Sequence, residues 1–217
     1  MVILSTILDI IFPTYCLSCG QKGADLCLGC LADSPEAERE SALWIFPLFD
    51  YRHPPLKKAI HSLKYRGRHR LARIFADAMY GRILEEIADL SIMENFKEPM
   101  VVPIPLSSKR RRERGFNQAE LICKELIKLD GSNKNFELAH NILIKPKDTA
   151  HQAHIENRNA RLKNLIGSFT VLNPKSIVGR NLILIDDVTT TGATLNEAKK
   201  TLRQAGARKI IAFTLAH

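Results

Sequence analysis

The sequence predicts an α/β fold in which a parallel sheet is flanked by helices. Short apolar segments alternate with segments of helical periodicity along most of the chain, which is typical of parallel strands joined by helical crossovers. The clearest apolar segment, residues 182–185, consists of four consecutive apolar residues, as expected for a strand buried on both faces. A length of 217 residues leaves room for one such domain and a small additional module.

The predicted elements follow the chain in a regular order. We expect a short amphipathic helix over 1–12. A cysteine module spanning Cys16 to Cys30 follows, and a polar linker occupies 33–41. Strands are predicted over 44–51, 100–105, 141–144, 169–171, 182–186 and 210–214. Helices are predicted over 54–64, 69–90, 117–129 and 195–205, the last with a stop at Gly206. The segments 106–116, 130–139 and 145–158 are expected to be loops. The domain boundary is placed between a module, 1–40, and a main domain, 41–217.

The charge balance indicates a polyanionic partner. Lys and Arg number 32 against 23 Asp and Glu, which gives a formal net charge of +9. Such basicity favours a phosphate-rich ligand or nucleic acid. No segment reaches the ~18 apolar residues of a membrane helix, and residues 1–12 lack the positive flank of a secretory signal. We therefore expect a cytoplasmic location and no stable membrane insertion.

Four cysteines near the amino terminus form two C-x-x-C pairs, Cys16 with Cys19 and Cys27 with Cys30. Two such turns can present the tetrahedral four-sulfur set that structural Zn²⁺ prefers. An iron–sulfur cluster, two disulfides or a redox pair are the alternatives, and disulfides are disfavoured in a cytoplasmic chain. Zinc binding would supply the folding free energy that so short a segment cannot gain from its own core. A fifth cysteine, Cys123, lies in a helical pattern and is expected to be a core residue.

Two carboxylates, Asp186 and Asp187, follow the apolar strand and precede a hydroxyl-rich loop and a helix. Ligands of open α/β sheets bind at such strand ends, and a helix start offers free N–H groups to a phosphate. Carboxylates suit ribose hydroxyls, so the pattern predicts a phosphorylated-sugar site. The site continues through Val188, Thr189, Thr190, Thr191, Gly192, Ala193 and Thr194. The alternative is a Walker B strand that binds Mg²⁺, but the chain contains no matching Gly-x-x-x-x-Gly-Lys-Ser/Thr loop.

Basic residues concentrate in two further segments. Five of the six residues 109–114 are Lys or Arg, just beyond a predicted strand. This segment suits a diphosphate or a nucleic-acid backbone, whereas a solvated charge run is the plainer interpretation. The other basic segment runs from Lys57 to Arg73 and contains Tyr65, which can stack on a base. The residues predicted to contact nucleic acid are Lys57, Lys58, Lys64, Arg66, Arg68, Arg70, Arg111 and Arg112.

The segment from Leu182 to Thr194 resembles the phosphoribosyl diphosphate (PRPP) signature of type I phosphoribosyltransferases. Together with the cysteine pairs, the Pro103–Leu106 strand end and the Arg114–Gln118 motif, it resembles the ComF family. The resemblance implies a type I phosphoribosyltransferase fold with a zinc-binding amino terminus, and PRPP and Mg²⁺ as ligands. It assigns Asp186 and Asp187, called the acid pair below, to the ribose hydroxyls. The expected diphosphate contacts are Leu106, Ser107, Ser108, Lys109, Arg110 and Arg114.

The family also carries a Thr-x-x-Gln segment that forms a mobile loop over the site, matched here by Thr149 and Gln152. These two residues are predicted to act with the acid pair in catalysis, as part of a lid that excludes water. Arg158 and Arg161 follow in the same region, and which of them belongs to the lid is left open.

The resemblance further implies a role in natural transformation, with single-stranded DNA and a helicase-like ATPase as partners. One hypothesis is an enzyme that transfers the phosphoribosyl group to an acceptor that the sequence does not identify. The other is a non-catalytic adaptor that binds single-stranded DNA and uses PRPP only as a ligand or regulator. A glutamine-dependent amidophosphoribosyltransferase follows from fold analogy alone, and the chain has no room for a glutaminase domain.

Overall fold

A computed structural model of the protein describes residues 13–38, 42–131, 134–139, 141–146 and 166–217. The strands are β1 (Ile45–Phe49), β2 (Met100–Pro103), β3 (Glu137–Leu138), β4 (Leu143–Ile144), β5 (Thr170–Val171), β6 (Leu182–Val188) and β7 (Ile210–Ala216). The helices are α1 (Leu28–Ala32), α2 (Pro54–Tyr65), α3 (Arg70–Glu94), α4 (Ser108–Arg114), α5 (Gln118–Asp130) and α6 (Ala193–Gln204), with a 3-10 turn at Pro174–Ser176.

The central sheet has five strands in the order β1-β7-β6-β2-β3, and all neighbouring strands in it are parallel. This confirms the predicted parallel α/β fold. Strands β4 and β5 form a separate antiparallel pair. Strand β6 lies between β2 and β7, so its carboxyl end is flanked by two further strand ends at the same edge.

Helices cover both faces of the sheet, as the unbroken apolar sequence of β6 predicted. Ile183 and Ile185 are fully buried among the apolar side chains of α2, α3 and α5. Leu182 and Leu184 point to the other face and are buried with the apolar side chains of α6. Successive strand residues face opposite sides of a sheet, so both sets must be apolar when both faces are covered.

Residues 108–114, predicted to be a loop, form helix α4. The Ser107 side chain caps this helix by accepting from the backbone N–H of Arg110 at 3.5 Å, and Gly115 ends it with a left-handed φ of 78°. The loop prediction was wrong because α4 buries none of its residues and therefore shows no apolar periodicity.

Part of the segment 130–139, also predicted to be a loop, forms strand β3 at the edge of the sheet. Its two residues pair with β2 through Met100 with Glu137 and Val101 with Leu138. A strand this short leaves too little sequence for an alternating pattern to be recognised.

The cysteine module packs directly on the main domain. Cys16, Leu26 and Leu31 are buried in the same apolar cluster as helices α2 and α3. Two polar contacts reinforce this packing. Lys58 Nζ donates to the Leu17 carbonyl at 3.3 Å, and the guanidinium of Arg68 pairs with Asp25 at 2.7 Å.

The described part of the predicted linker runs alongside β1. The Ala37 N–H donates to the Leu48 carbonyl at 3.2 Å, and the Asp50 N–H donates to the Pro35 carbonyl at 2.9 Å. The helix predicted over 1–12 and the linker residues 39–41 lie outside the described residues. Within the described ranges, no helix is both long and apolar enough to cross a membrane.

Candidate functional site

The carboxyl ends of β2 and β6 meet at one edge of the sheet, because these parallel strands pair Pro103 with Ile185. Asn117, buried just before helix α5, ties the next segment to this edge. Its Nδ2 donates to the Ile104 carbonyl at 2.9 Å, and its Oδ1 accepts from the Ala119 N–H at 2.9 Å. The first turn of α5 is thereby capped and fixed at the edge where ligands of open α/β sheets bind.

Asp187 is buried at the end of β6 and has a partner on each carboxylate oxygen. Lys64 Nζ, from the last turn of α2, lies 2.7 Å from its Oδ1. Gln118 Nε2, from the first turn of α5, donates to its Oδ2. Asp187 therefore joins two helices to the central strand.

Asp186 accepts a hydrogen bond from the backbone N–H of Asp187 at 2.8 Å. Burial and the neighbouring charge of Asp187 raise the pKa of the Asp186 carboxyl to about 7, although that hydrogen bond and the charges of Lys64 and Lys145 oppose the rise. Near neutral pH Asp186 is therefore present both as a hydrogen-bond donor and as a carboxylate.

The loop after β6 leads directly into the first turn of helix α6. Thr189 is buried and its N–H donates to the Ala216 carbonyl at 3.0 Å, while Thr190 and Thr191 are exposed. Gly192 caps the helix at a left-handed φ of 68°, and a Cβ there would lie 3.2 Å from Ile45 Cδ1. The position therefore favours glycine, because any side chain there is strained. The first N–H groups of α6 have no acceptors within the helix, which suits a phosphate.

Helix α4 carries the basic segment that was predicted to face a diphosphate. Ser107 is its buried cap, Ser108 is its first residue, and Arg110 is half-buried. Arg111 pairs with Glu120 of α5 at 2.5 Å. Leu106 is half-buried, and Lys109 and Arg112 are exposed.

Arg114, at the end of α4, contacts both Gln118, which donates to Asp187, and the exposed Tyr65. Its Nη1 donates to Gln118 Oε1 at 3.0 Å, and its Nη2 donates to the Tyr65 hydroxyl at 2.9 Å. The guanidinium carbon also lies 4.7 Å from the centroid of the Tyr65 ring, within cation–π range.

The basic residues of α2 and the start of α3 occupy three environments. Lys64 is in the acid site, whereas Lys58 and Arg68 contact the cysteine module. Three further residues of the predicted nucleic-acid set are exposed: Lys57, Arg66 and Arg70. The structure thus places Lys64 against Asp187, in the predicted sugar site. The assignment to nucleic acid stays a prediction for the whole set.

Sequence reasoning missed two partners of Asp187. Gln118 ends the Arg114–Gln118 motif, so this motif was the signal from which a role at the site could have been inferred. The pairing of Lys64 with Asp187 had no signal, because the two residues are far apart in the chain and meet only through the packing of α2 on the sheet.

The four cysteines of the amino-terminal module come together at one centre, with their sulfur atoms all within 4.8 Å of one another. The Cys27 N–H donates to Cys16 Sγ at 3.4 Å. Burial opposes ionisation of Cys16, but hydrogen bonds from backbone N–H groups, that of Cys27 foremost, lower the pKa of its thiol to about 6. A four-cysteine set of this kind can hold a metal ion such as zinc. Cys123 is fully buried in α5, as predicted.

Four residues of the predicted lid, Thr149, Gln152, Arg158 and Arg161, lie outside the described residues. Their roles stay predictions.

Comparison with known proteins relates the chain to one family of protein domains. The model of the family described as "Phosphoribosyl transferase domain" matches residues 79–217. The chain is 31% identical over 211 residues to Competence protein F of Haemophilus influenzae, covering 94% of this chain and 85% of that protein. It is 29% identical over 206 residues to the DNA utilization protein YhgH of Salmonella typhimurium, covering 93% of this chain and 83% of that protein.

Among solved structures, a hypoxanthine phosphoribosyltransferase from Staphylococcus aureus is similar, at 12% identity and a TM-score of 0.35, over 66% of this chain and 61% of that chain. The sheet, its flanking helices and the family match define a protein with the type I phosphoribosyltransferase fold. The chain belongs to the competence protein F family of such proteins.

Proposed function

We propose that the protein binds PRPP together with Mg²⁺ at the edge of the sheet where β6 leads into α6. One observation carries the proposal: the acid pair is followed at once by a threonine loop and a helix start capped by Gly192. Asp186 and Asp187 accept hydrogen bonds from the ribose hydroxyls. The loop Thr189–Thr194 binds the 5-phosphate through hydroxyl and backbone N–H groups.

The diphosphate of PRPP then lies toward helix α4. The backbone of 106–109 and the side chains of Arg110 and Arg114 bind its oxygens, and Thr149 and Gln152 close over the site and exclude water. Asp186 and Asp187 would help to hold Mg²⁺ beside the ribose, and the ion would supply positive charge that neutralises the diphosphate as a leaving group. In phosphoribosyl transfer the bond from C1 of the ribose to the diphosphate breaks, its electrons leave with the diphosphate, and the acceptor nucleophile bonds to C1.

Calorimetric titration with PRPP and Mg²⁺ tests the ligand assignment. The double variant Asp186→Asn, Asp187→Asn loses two charge-assisted acceptors and is expected to bind PRPP roughly a hundredfold more weakly. Asp77→Asn, an exposed residue of α3, is the matched control and should bind as the wild type does. Unchanged PRPP affinity in the double variant would show that the ribose is bound elsewhere.

We infer that the protein acts in DNA uptake during natural transformation, on single-stranded DNA in the cytoplasm and with a helicase-like ATPase. The support comes from relatives, since one is named a competence protein and another a DNA utilization protein. The exposure of several basic residues is consistent with this role: Lys57, Arg66, Arg70 and Arg112 are exposed, and so is the aromatic Tyr65.

The second candidate function is a non-catalytic adaptor that binds single-stranded DNA and uses PRPP only as a ligand or regulator. It is favoured by the exposed Tyr65, which can stack on a base, beside Arg66 and Arg114. A diphosphate-release assay with PRPP separates the two functions. Release that depends on an added acceptor, single-stranded DNA included, supports the enzyme, whereas PRPP binding without release supports the adaptor.

We also propose that residues 1–40 form a module organised by structural zinc and attached to the main domain, 41–217. The convergence of Cys16, Cys19, Cys27 and Cys30 supports this proposal. All four ligand positions of a tetrahedral zinc are then filled by protein, which leaves no open position for catalysis.

A further inference from the structure

A continuous set of contacts links the exposed Tyr65 to the buried Asp187. Arg114 donates to the Tyr65 hydroxyl at 2.9 Å and to Gln118 Oε1 at 3.0 Å, and Gln118 donates onward to Asp187. Lys64 closes the circuit, because it precedes Tyr65 in the chain and lies 2.7 Å from the other oxygen of Asp187. We call these five residues the Tyr65–Asp187 circuit.

The two ends of the circuit lie in different environments. Tyr65 lies on the surface and is 57% exposed, whereas Asp187 is only 4% exposed. A macromolecule can therefore reach one end, while only a small ligand at the sheet edge can reach the other. Arg114 lies between them and is half-buried.

Arg114 controls the orientation of the Gln118 amide. Since Oε1 accepts from Arg114, the amide NH₂ is directed toward Asp187. If the guanidinium is lost, Gln118 Oε1 loses its donor, and this donor fixes which end of the amide faces Asp187. Asp187 then keeps Lys64 on Oδ1 but loses the oriented donor on Oδ2, and an unsatisfied buried acceptor is costly.

The same guanidinium lies over the Tyr65 ring, 4.7 Å from its centroid. A nucleic-acid base that stacks on this ring competes with Arg114 for the ring, and a backbone phosphate competes for its N–H groups. Binding at the surface end therefore draws Arg114 away from Gln118. PRPP requires the circuit intact, because it needs both Asp187 in position and Arg114 near its diphosphate.

We propose that PRPP and single-stranded nucleic acid bind this protein antagonistically, and that the Tyr65–Asp187 circuit transmits the antagonism. The inference rests on the proposed function, since it requires both ligands to bind. By linkage, each ligand weakens the other by the same factor. PRPP thus promotes release of nucleic acid, and bound nucleic acid lowers PRPP affinity. The expected factor is about tenfold, within the usual range for coupled sites.

The coupling is measured on the full chain by titrating PRPP with Mg²⁺ in the absence and presence of saturating oligothymidylate. The reciprocal titration follows oligothymidylate by fluorescence anisotropy with and without saturating PRPP. The expected result is an increase of about tenfold in both dissociation constants. The coupling ratio is the dissociation constant of one ligand in the presence of the other divided by its dissociation constant alone. This ratio separates the coupling from a change in either affinity by itself.

Two matched variants separate the circuit from simple repulsion between polyanions. Arg114→Ala and Arg112→Ala remove the same charge from the same helix, but Arg112 is exposed and lies outside the circuit. The coupling ratio should fall toward one in Arg114→Ala and stay near the wild-type value in Arg112→Ala. Tyr65→Phe keeps the ring and loses the hydroxyl that accepts from Arg114, so it should reduce the ratio while still binding oligothymidylate.

A ratio of one in the wild type, with both ligands bound, overturns the inference and leaves the proposed function intact. An equal loss of coupling in Arg112→Ala and Arg114→Ala also overturns it, because charge alone then explains the antagonism. Absence of any PRPP binding by the wild type removes the proposed function itself, so the two failures are distinguishable.

Discussion

Lys64 and Asp187 form an ion pair with 2.7 Å between Nζ and Oδ1, which connects the last turn of α2 to the end of the central strand β6. The side chains are only 16% and 6% exposed, so solvent screens the pair weakly. The pair brings a cation from the basic α2 segment into the site of the acid pair. The pair also places a cation beside a carboxylate that is otherwise buried, where a charge without a partner is costly.

Replacing Lys64 by Met leaves the Asp187 carboxylate buried without its cation. We expect a loss of about 2–4 kcal/mol in the free energy of unfolding at pH 8, measured by urea denaturation. Lys124→Met, at an exposed position of α5, is the control and should change stability by less than about 0.5 kcal/mol. Equal stability of the two variants would mean that the ion pair contributes nothing.

Asp186 should make the protein less stable as the pH rises. Its pKa is about 7 in the folded protein, against about 3.9 for an unperturbed Asp. The folded state therefore binds a proton more tightly, so the free energy of unfolding decreases between about pH 4 and pH 7 and then levels off. Asp186→Asn removes this dependence and should be more stable than the wild type at pH 8, by at least about 1 kcal/mol. Urea denaturation across this pH range measures it, and parallel curves for the two proteins would contradict the raised pKa.

Gly192→Ala introduces a side chain at a left-handed position and places its Cβ 3.2 Å from Ile45 Cδ1. We expect a loss of about 1–3 kcal/mol in the free energy of unfolding and a weaker PRPP affinity. Gly81→Ala in the middle of α3 is the control. Its Cβ would meet no atom within 4 Å, so it should be neutral or stabilising by about 1 kcal/mol. Similar behaviour of the two variants in thermal unfolding and calorimetry would refute the strain argument.

Removing the metal is expected to release the cysteine module from the main domain. Purified protein should contain one zinc ion per chain, measured by elemental analysis, because one four-cysteine set is present among the described residues. Cys27→Ala should lose that zinc and expose residues 13–38 to proteolysis, whereas Cys123→Ala, outside the cluster, should retain it. Full zinc occupancy in Cys27→Ala would exclude the cluster as the binding site.

Binding of single-stranded DNA should weaken as salt is added, through counterion release. If Arg66 and Arg112 contact phosphates, each single substitution by Ala lowers the slope of log affinity against log salt by about one. Lys175→Ala, exposed in the 3-10 turn, should leave the slope unchanged. The absence of binding even at low salt would remove the DNA-binding role altogether.

The local elements with a strong sequence signal were predicted well. Helix α6 was recognised from Leu195, Ala198 and Leu202, and these residues are buried on one face. Helix α4 was not recognised, because its residues are not buried and its stability comes from caps. Strand β3 was missed because its two residues owe their conformation to pairing with β2.

The sequence by itself determined the parallel strand of buried residues, the acid pair with its threonine loop, and the four-cysteine cluster, because each depends on residues that are close in the chain. Only the tertiary structure decided that Lys64 and Gln118 hold Asp187, and that Arg114 joins Gln118 to Tyr65. These contacts arise where α2, α4 and α5 pack around the end of β6. Their geometry depends on how the helices lie on the sheet, which the local periodicity of the sequence does not encode.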